Sequence, residues 1–483
     1  MPFRLQCILL VCVCCTGLLT GTAHAVRLSD PAQIVEDNDT VVRLRRADGL
    51  LENRPAQQLG TQEAEILQKY RADHPPSPYM TRRKLRQKPR PLLVNKDGIR
   101  IFPSVTDVHA AILTGTVVGY EEASALSTVV LSAGSRFWEP QFKDDSGETD
   151  SFWPKIIAKL EAQNPGNAVR QDPFVTCMEY LKNHGKEVFW TIRVNDTHDH
   201  NLPVKSLHGW KQRMASTTDK KGNPFLVGTT SRPPRFARPN ALNYDNFEVR
   251  KKFIRAIKAG VDKLAGQHRL DGIELDFTRH TILFKSVADG GKASDRQLAL
   301  ITDLVRLIRK DLDQTALDRG RPILLMVRIP DSVEFCRAIG IDIEEWLKED
   351  LVDMVVNSDY YMLSSWSSFA DFCHRYDVPY YACLERRRIE QNVPDASSSA
   401  SMSVPIRPEL WRGEALNAWS SGVDGIYIFN RPMARAEVFS LNLHDPSALK
   451  RMHFPEIIRQ TERRSHSPWA DPNRWAREWN SKP

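Results

Sequence analysis

The segment Asp271-Gly-Ile-Glu-Leu-Asp-Phe-Thr-Arg-His280 restricts the fold more than any other part of the chain. An apolar run opens on Asp-Gly and carries two carboxylates at i and i+2. Side chains alternate across a strand, so Ile273 and Leu275 share one face and Glu274 and Asp276 the other. A strand apolar on one side and acidic on the other is a poor sandwich strand. It suits the wall of a (β/α)8 barrel, where the residue at the C-terminal end of a strand enters the active site.

The rest of the chain supports that reading. Strand-like runs at Pro91–Asn95, Thr128–Ser132, Glu187–Val194, Gly272–Phe277, Pro322–Arg328, Val352–Ser358, Val378–Leu384 and Gly425–Phe429 alternate with helical patterns. They are rich in Val, Ile, Leu and aromatics, as buried parallel strands should be. Ser294-Asp-Arg-Gln297 reads as a capping box before the stripe Leu298, Ile301, Leu304, Val305, Ile308 and Leu312. Phe253, Ile254, Ile257, Val261 and Leu264 form a second stripe, and Ile343–Leu347 and Leu410–Trp419 read as shorter helices. The expected fold class is α/β, a TIM barrel with long βα loops. An open doubly wound sheet is the alternative, but no glycine-rich phosphate loop supports it.

Four parts are expected. Residues 1–25 read as a signal peptide: Arg4, an apolar stretch from Cys7 to Leu19 too short to span a bilayer, and a cleavage site at Ala23-His24-Ala25. Residues 26–90 read as an irregular arm with one helix around Gln62–Arg71, and the basic run Arg82–Arg90 as a solvated face, with binding of an acidic polymer as the alternative. Residues 91–445 are the barrel and 446–483 a C-terminal extension. The net charge of +7 over 483 residues, well mixed in sign, is a soluble surface and no nucleic-acid footprint. No later segment is long and apolar enough to cross a membrane, and the chain is expected to be exported. Of eight cysteines, four fall in the signal. Cys177, Cys336, Cys373 and Cys383 match no zinc spacing. Cys373 and Cys383 could pair in an oxidising compartment, or all four are buried thiols.

The strand ends deliver the candidate site. In chain order they carry Trp138, then Arg193 with Asp196, then Glu274, Asp276, Arg279 and His280, then Arg328 with Asp331, then Asp359 with Tyr360, then Glu385. Turns favour Asp, Asn, Ser and Gly, not repeated Arg and Glu, so a ring of charges around one mouth is the economical reading. Glycosidic cleavage needs one carboxylate to stabilise or attack the anomeric carbon and one acid to protonate the leaving oxygen. Asp276 is the first carboxylate. Glu385 ranks ahead of Asp359 and Asp331 as the acid, and Glu274, one layer deeper, orients Asp276 or pairs with Arg193. Trp138, Tyr360 and Tyr361 could stack on sugar faces or pack in the core. Arg136, Arg193, Arg279 and Arg328 point to an anionic sugar. No cofactor is expected. Asp196, His198, Asp199 and His200 are of metal-ligand type in no known signature, which leaves a metal-dependent hydrolase or deacetylase as one alternative and a non-catalytic carbohydrate-binding barrel as another. Removing the charge at Asp276 should stop catalysis and barely affect folding, since an acidic mouth is relieved of one charge.

Around Asp271–Phe277 the chain resembles the glycosyl-hydrolase-10-like glycoside hydrolases, relatives of the alpha-amylase-type barrels. Their fourth strand reads Asp-Gly-Ile-x-Leu-Asp, with the last Asp as the catalytic carboxylate, which implies that role for Asp276. Leu242-Asn-Tyr-Asp-Asn-Phe-Glu-Val-Arg250 is similar to the family's helix start, with Phe247 in place of Pro. Phe277 departs from the family, which places a second Asp or a Tyr there. The chitinase-type motif is also approached, but Thr278 stands where its essential acid would be, and chitinase chemistry is rejected.

Overall fold

The computed structural model describes residues 28–29, 33–37, 41–45, 51–55, 59–73, 78–96, 108–120, 124–132, 173–197, 209–228, 240–268, 270–278, 280–357, 363–385, 389, 408–429 and 441–452. They divide into two compact units, 1–81 and 82–483. In the first, β1 (Ile34–Asp37), β2 (Val41–Arg45) and β3 (Leu51–Pro55) form an antiparallel sheet, followed by α1 (Thr61–Asp73). Leu28, Ile34, Val42, Leu44 and Leu67 make its small core. The helix near Gln62–Arg71 is therefore present, but the segment expected to be irregular holds a sheet and its own apolar cluster. The helix α2 (Pro78–Arg86) crosses into the second unit.

The second unit is the barrel. Its strands are β4 (Leu92–Lys96), β5 (Leu126–Ser132), β6 (Glu187–Arg193), β7 (Gly272–Asp276), β8 (Leu324–Ile329), β9 (Met354–Asn357), β10 (Tyr380–Leu384) and β11 (Gly425–Phe429). Each pairs in parallel with its chain neighbour, and β11 closes on β4. All eight expected strands are found, within two residues or so at most ends. Around them lie α3 (Val108–Thr116), α4 (Pro173–Asn183), α5 (Gly209–Met214), α6 (Phe247–His268), α7 (Lys285–Ala288), α8 (Asp295–Arg319), α9 (Val333–Ile339), α10 (Ile343–Lys348), α11 (Trp366–His374), α12 (Pro408–Ser420) and α13 (Pro446–Arg451). Ser294 and Gln297 cap α8 reciprocally, the side chain of each bonded to the other's backbone N–H.

Alternation separates two apolar layers. Ile273 and Leu275 of β7 pack with Val188, Trp190 and Ile192 under the helices. Leu93, Val130, Phe189, Met326, Tyr381 and Tyr427 fill the lumen. Gly272 begins β7 because the lumen has no space there: a Cβ would lie 2.5 Å from the Phe189 ring. The four described cysteines are free buried thiols. Cys373 belongs to the helix layer and Cys383 to the lumen, on opposite faces of β10, so the alternative of a Cys373–Cys383 pair does not hold. Phe225 and Tyr244, from the long connection between β6 and α6, are buried in the outer layer.

The basic run is solvated only in part: Arg83, Lys84 and Lys88 are exposed, but three of its arginines are not. Arg82, Arg86 and Arg90 are each 1% exposed. Arg82 and Arg86, four apart on α2, share one helix side, and Arg90 follows after the helix has ended; all three pair with acids at the N-terminal ends of the barrel strands. Arg86 bonds Asp350 at 2.6 Å, and Arg82 pairs with Asp350 and with Asp353. Arg90 grips Glu187 through two nitrogens, at 2.7 and 3.1 Å, while Thr128 donates to the same carboxylate at 2.9 Å. Burial works to raise the Glu187 pKa, but Arg90 outweighs it and the carboxyl stays below its ordinary value. Charges on a strand's N-terminal end of such a barrel serve stability. Glu187→Ala leaves Arg90 buried without this partner. It should cost about 3–5 kcal/mol of unfolding free energy in chemical denaturation; a loss within experimental error would mean that the pair contributes nothing.

Candidate active site

The register of β6, β7 and β8 stacks their lumen-facing residues in rows. Phe189, Gly272 and Leu324 form the lowest row, Thr191, Glu274 and Met326 the next, and Arg193, Asp276 and Arg328 the uppermost, at the C-terminal ends. Asp276 therefore stands between two arginines. Its Oδ2 accepts from Arg328 Nη2 at 2.8 Å, and its Oδ1 accepts from the backbone N–H and the hydroxyl of Thr278, both at 2.9 Å. Burial works to raise its pKa. The Arg328 charge and hydrogen bond, and then Arg193, outweigh burial and hold the carboxyl below its ordinary value. The expectation that losing the Asp276 charge only relieves repulsion does not hold, because Arg328, itself fully buried, would lose this counter-ion.

Glu274 is surrounded by hydroxyls and an amide, not by an arginine. Thr191 Oγ1 donates to Oε1 at 2.6 Å, Asn95 Nδ2 to the same oxygen at 3.3 Å, and Tyr427 OH to Oε2 at 2.7 Å. The expected pairing with Arg193 does not occur; Arg193 bonds Asp196 at 2.9 Å. Complete burial, helped by the Asp276 charge and opposed by Arg328, pushes the Glu274 pKa up to about 7. Two carboxylates two residues apart are thereby driven in opposite directions. Thr191, Asn95, Tyr427 and Thr278 were not among the expected residues. Their signal is their position: each is a polar side chain on the lumen face of its strand or, for Thr278, just past the strand end.

Other candidates are placed as follows. Glu385 directly follows β10 and continues the face of Tyr381 and Cys383; it is 7% exposed. Asp331 accepts the backbone N–H of Leu363 on both oxygens at 3.1 Å, which fastens the loop after β9 to the end of β8. His280 lies with Nδ1 3.2 Å from the Asn195 carbonyl and 3.1 Å from the Thr197 N–H. Asn195 ties three segments, donating to the carbonyls of Leu242 and Ile282 and accepting from Leu242 N–H. Asp359, Tyr360, Tyr361, Arg279, Trp138 and Arg136, and His198, Asp199 and His200 of the suspected metal cluster, lie outside the described residues. Among the described residues there is no group of His, Cys, Asp and Glu arranged to hold a metal, and no helix long and apolar enough to cross a membrane.

No protein-family model and no curated protein matches the chain. Solved structures that resemble it include isomaltulose synthase from Klebsiella sp. LX3, at 11% identity and a TM-score of 0.37 over 70% of this chain. The match spans 64% of the length of that enzyme. An alpha-amylase from Lactobacillus plantarum aligns at 14% identity and TM-score 0.38, over 72% of each chain. A glycoside hydrolase family 18 N-acetylglucosaminidase from Paenibacillus barengoltzii aligns at 12% and 0.36, over 73% of this chain and 98% of the other. Likeness of this degree carries no argument about activity; the barrel stands on its own strand pairing.

The Glu274 shift has a thermodynamic consequence. A carboxyl whose pKa is higher folded than unfolded takes up a proton on folding between the two values. Stability then falls as pH rises from the ordinary 4.5 to about 7 and is level above. The interval is worth on the order of 3 kcal/mol for a fully buried group. Glu274→Gln, a mimic of the protonated acid, should flatten the melting temperature across that range. An unchanged slope would assign the titration to another group.

Proposed function

We propose that the chain is a glycoside hydrolase acting on a poly- or oligosaccharide, with Asp276 facing the anomeric centre. One observation carries this: a carboxylate held ionised at the C-terminal end of a lumen-facing strand position, where barrel enzymes do their chemistry. Glycosidic cleavage passes through an oxocarbenium-like state, and a carboxylate already ionised and fixed at both oxygens can stabilise or attack that carbon without reorganising. Glu385, buried just past the end of β10, is the proposed acid for the leaving oxygen. Glu274 sits a row deeper, enclosed by Thr191, Asn95 and Tyr427, and is proposed to support Asp276 from below without touching substrate.

The substrate's charge is a separate matter. Arg193 and Arg328 are matched by Asp196 and Asp276 at 2.9 and 2.8 Å, so a preference for anionic sugars rests on Arg136 and Arg279. A second reading has its own support. Asp276 is only 2% exposed, as an interior ion pair would be, and in that reading the barrel binds carbohydrate without cleaving it.

Asp276→Asn separates the two. As a glycosidase variant it should lose on the order of a thousandfold or more in reducing-end release from a glycan panel. It should also lose about 2–4 kcal/mol of stability, because Arg328 keeps its charge in the lumen. Near-normal turnover would show that the active site is on another carboxylate.

We also propose export, resting on Arg4, the apolar stretch and Ala23-His24-Ala25. N-terminal sequencing of the protein isolated from its native host should begin at Val26. A chain that still begins at Met1 or Pro2 would contradict cleavage.

A further inference from the structure

The cation that holds Asp276 is itself held from across the lumen. Arg328 leaves β8 with a fully buried side chain, and its guanidinium carbon lies 3.7 Å from the centroid of the Phe429 ring on β11. In the closed sheet β11 stands three strands away from β8, beyond β9 and β10. The guanidinium therefore bridges the lumen, one side against an aromatic face and one nitrogen on Asp276 Oδ2 at 2.8 Å. A cation over a ring face is attracted by the ring's quadrupole, most strongly where water is excluded. Phe429 is 1% exposed, so that condition is met. The ring constrains the plane of the guanidinium and hence which nitrogen meets the carboxylate. A fork with five donors has several ways to turn, and a surface that favours one of them reduces that freedom.

We propose that Phe429 is a positioning residue for Asp276, acting through Arg328. The inference deepens the glycosidase reading and takes from it only the importance of Asp276. Its physical content is that the electron density of a ring on β11 sets how firmly a carboxylate on β7 is kept ionised. Arg328, first read as a contact for substrate, belongs on this account to the support of Asp276.

The test is a titration of Asp276 in the full chain carrying 13C-carboxyl aspartate, with the resonance assigned by its loss in Asp276→Asn. Mono-, di- and trifluorophenylalanine at position 429 withdraw density from the ring with little change in shape, so folding is preserved. The Asp276 midpoint should climb step by step with fluorination, to about one pH unit, or tenfold in proton affinity, for the trifluoro residue. Phe429→Leu should move it at least as far, and Phe429→Tyr should leave it close to the parent value. A midpoint that stays fixed across the fluorinated series would overturn the proposal, whatever the Leu variant does to stability. Turnover is read on the same samples. A midpoint that moves in a protein that cleaves no glycan supports the positioning role and counts only against the glycosidase reading.

Discussion

The ion pair between Asp276 and Arg328 joins β7 to β8 in the uppermost of their shared lumen rows, and the described charges around it follow from it. A carboxylate this deep would ordinarily take up a proton, because burial penalises its charge. Arg328 on one neighbouring strand and Arg193 on the other reverse that outcome. Each arginine is answered in turn, Arg193 by Asp196 and Arg328 by the face of Phe429. One row lower the balance tips the other way: the hydrogen bonds to Glu274 come from neutral groups, burial outweighs the Arg328 charge, and the pKa is pushed up to about 7. Separating the behaviour of two acids on one strand face requires both the register that puts arginines beside Asp276 and the alternation that puts Thr191 beside Glu274.

The two ends of the barrel use similar groups to different effect. At the base, Arg82, Arg86, Arg90 and Arg309 meet Asp350, Asp353 and Glu187 in pairs that join segments distant in sequence. Asp353 shows the cost of that position: burial raises its pKa even with Arg82 and Arg309 beside it. These contacts lock the chain entering β4 to the strands beyond it. At the mouth, by contrast, Asn195 and Asp331 tie loops to the strand ends through backbone groups.

How much of this was legible in the sequence follows from what each pattern encodes. The strands could be found because both of their faces are buried, which writes itself as runs of Val, Ile, Leu and aromatics. The capping box of α8 was legible for the same local reason. The base of the barrel was not. A run of arginines looks solvated when judged by composition, as Arg83, Lys84 and Lys88 are; which of its arginines are buried depends on Asp350, Asp353 and Glu187, far away in the chain. The partners of Glu274 were equally hidden, since Thr191, Asn95 and Tyr427 lie far apart in the chain and meet only when the sheet closes. Asp276 was legible as a carboxylate at a strand end. That it would be flanked by arginines on both sides depended on register between strands, which no single segment carries.

The central claim is that Asp276 faces the scissile bond. The most direct measurement is an experimental structure of the Asp276→Asn chain with a bound oligosaccharide. The account predicts an anomeric carbon roughly 3–3.5 Å from the side chain at position 276, with Glu385 in hydrogen-bond reach of the glycosidic oxygen. A sugar bound away from β7, or a Glu385 carboxyl more than about 10 Å from position 276 with no other acid nearer, would contradict it.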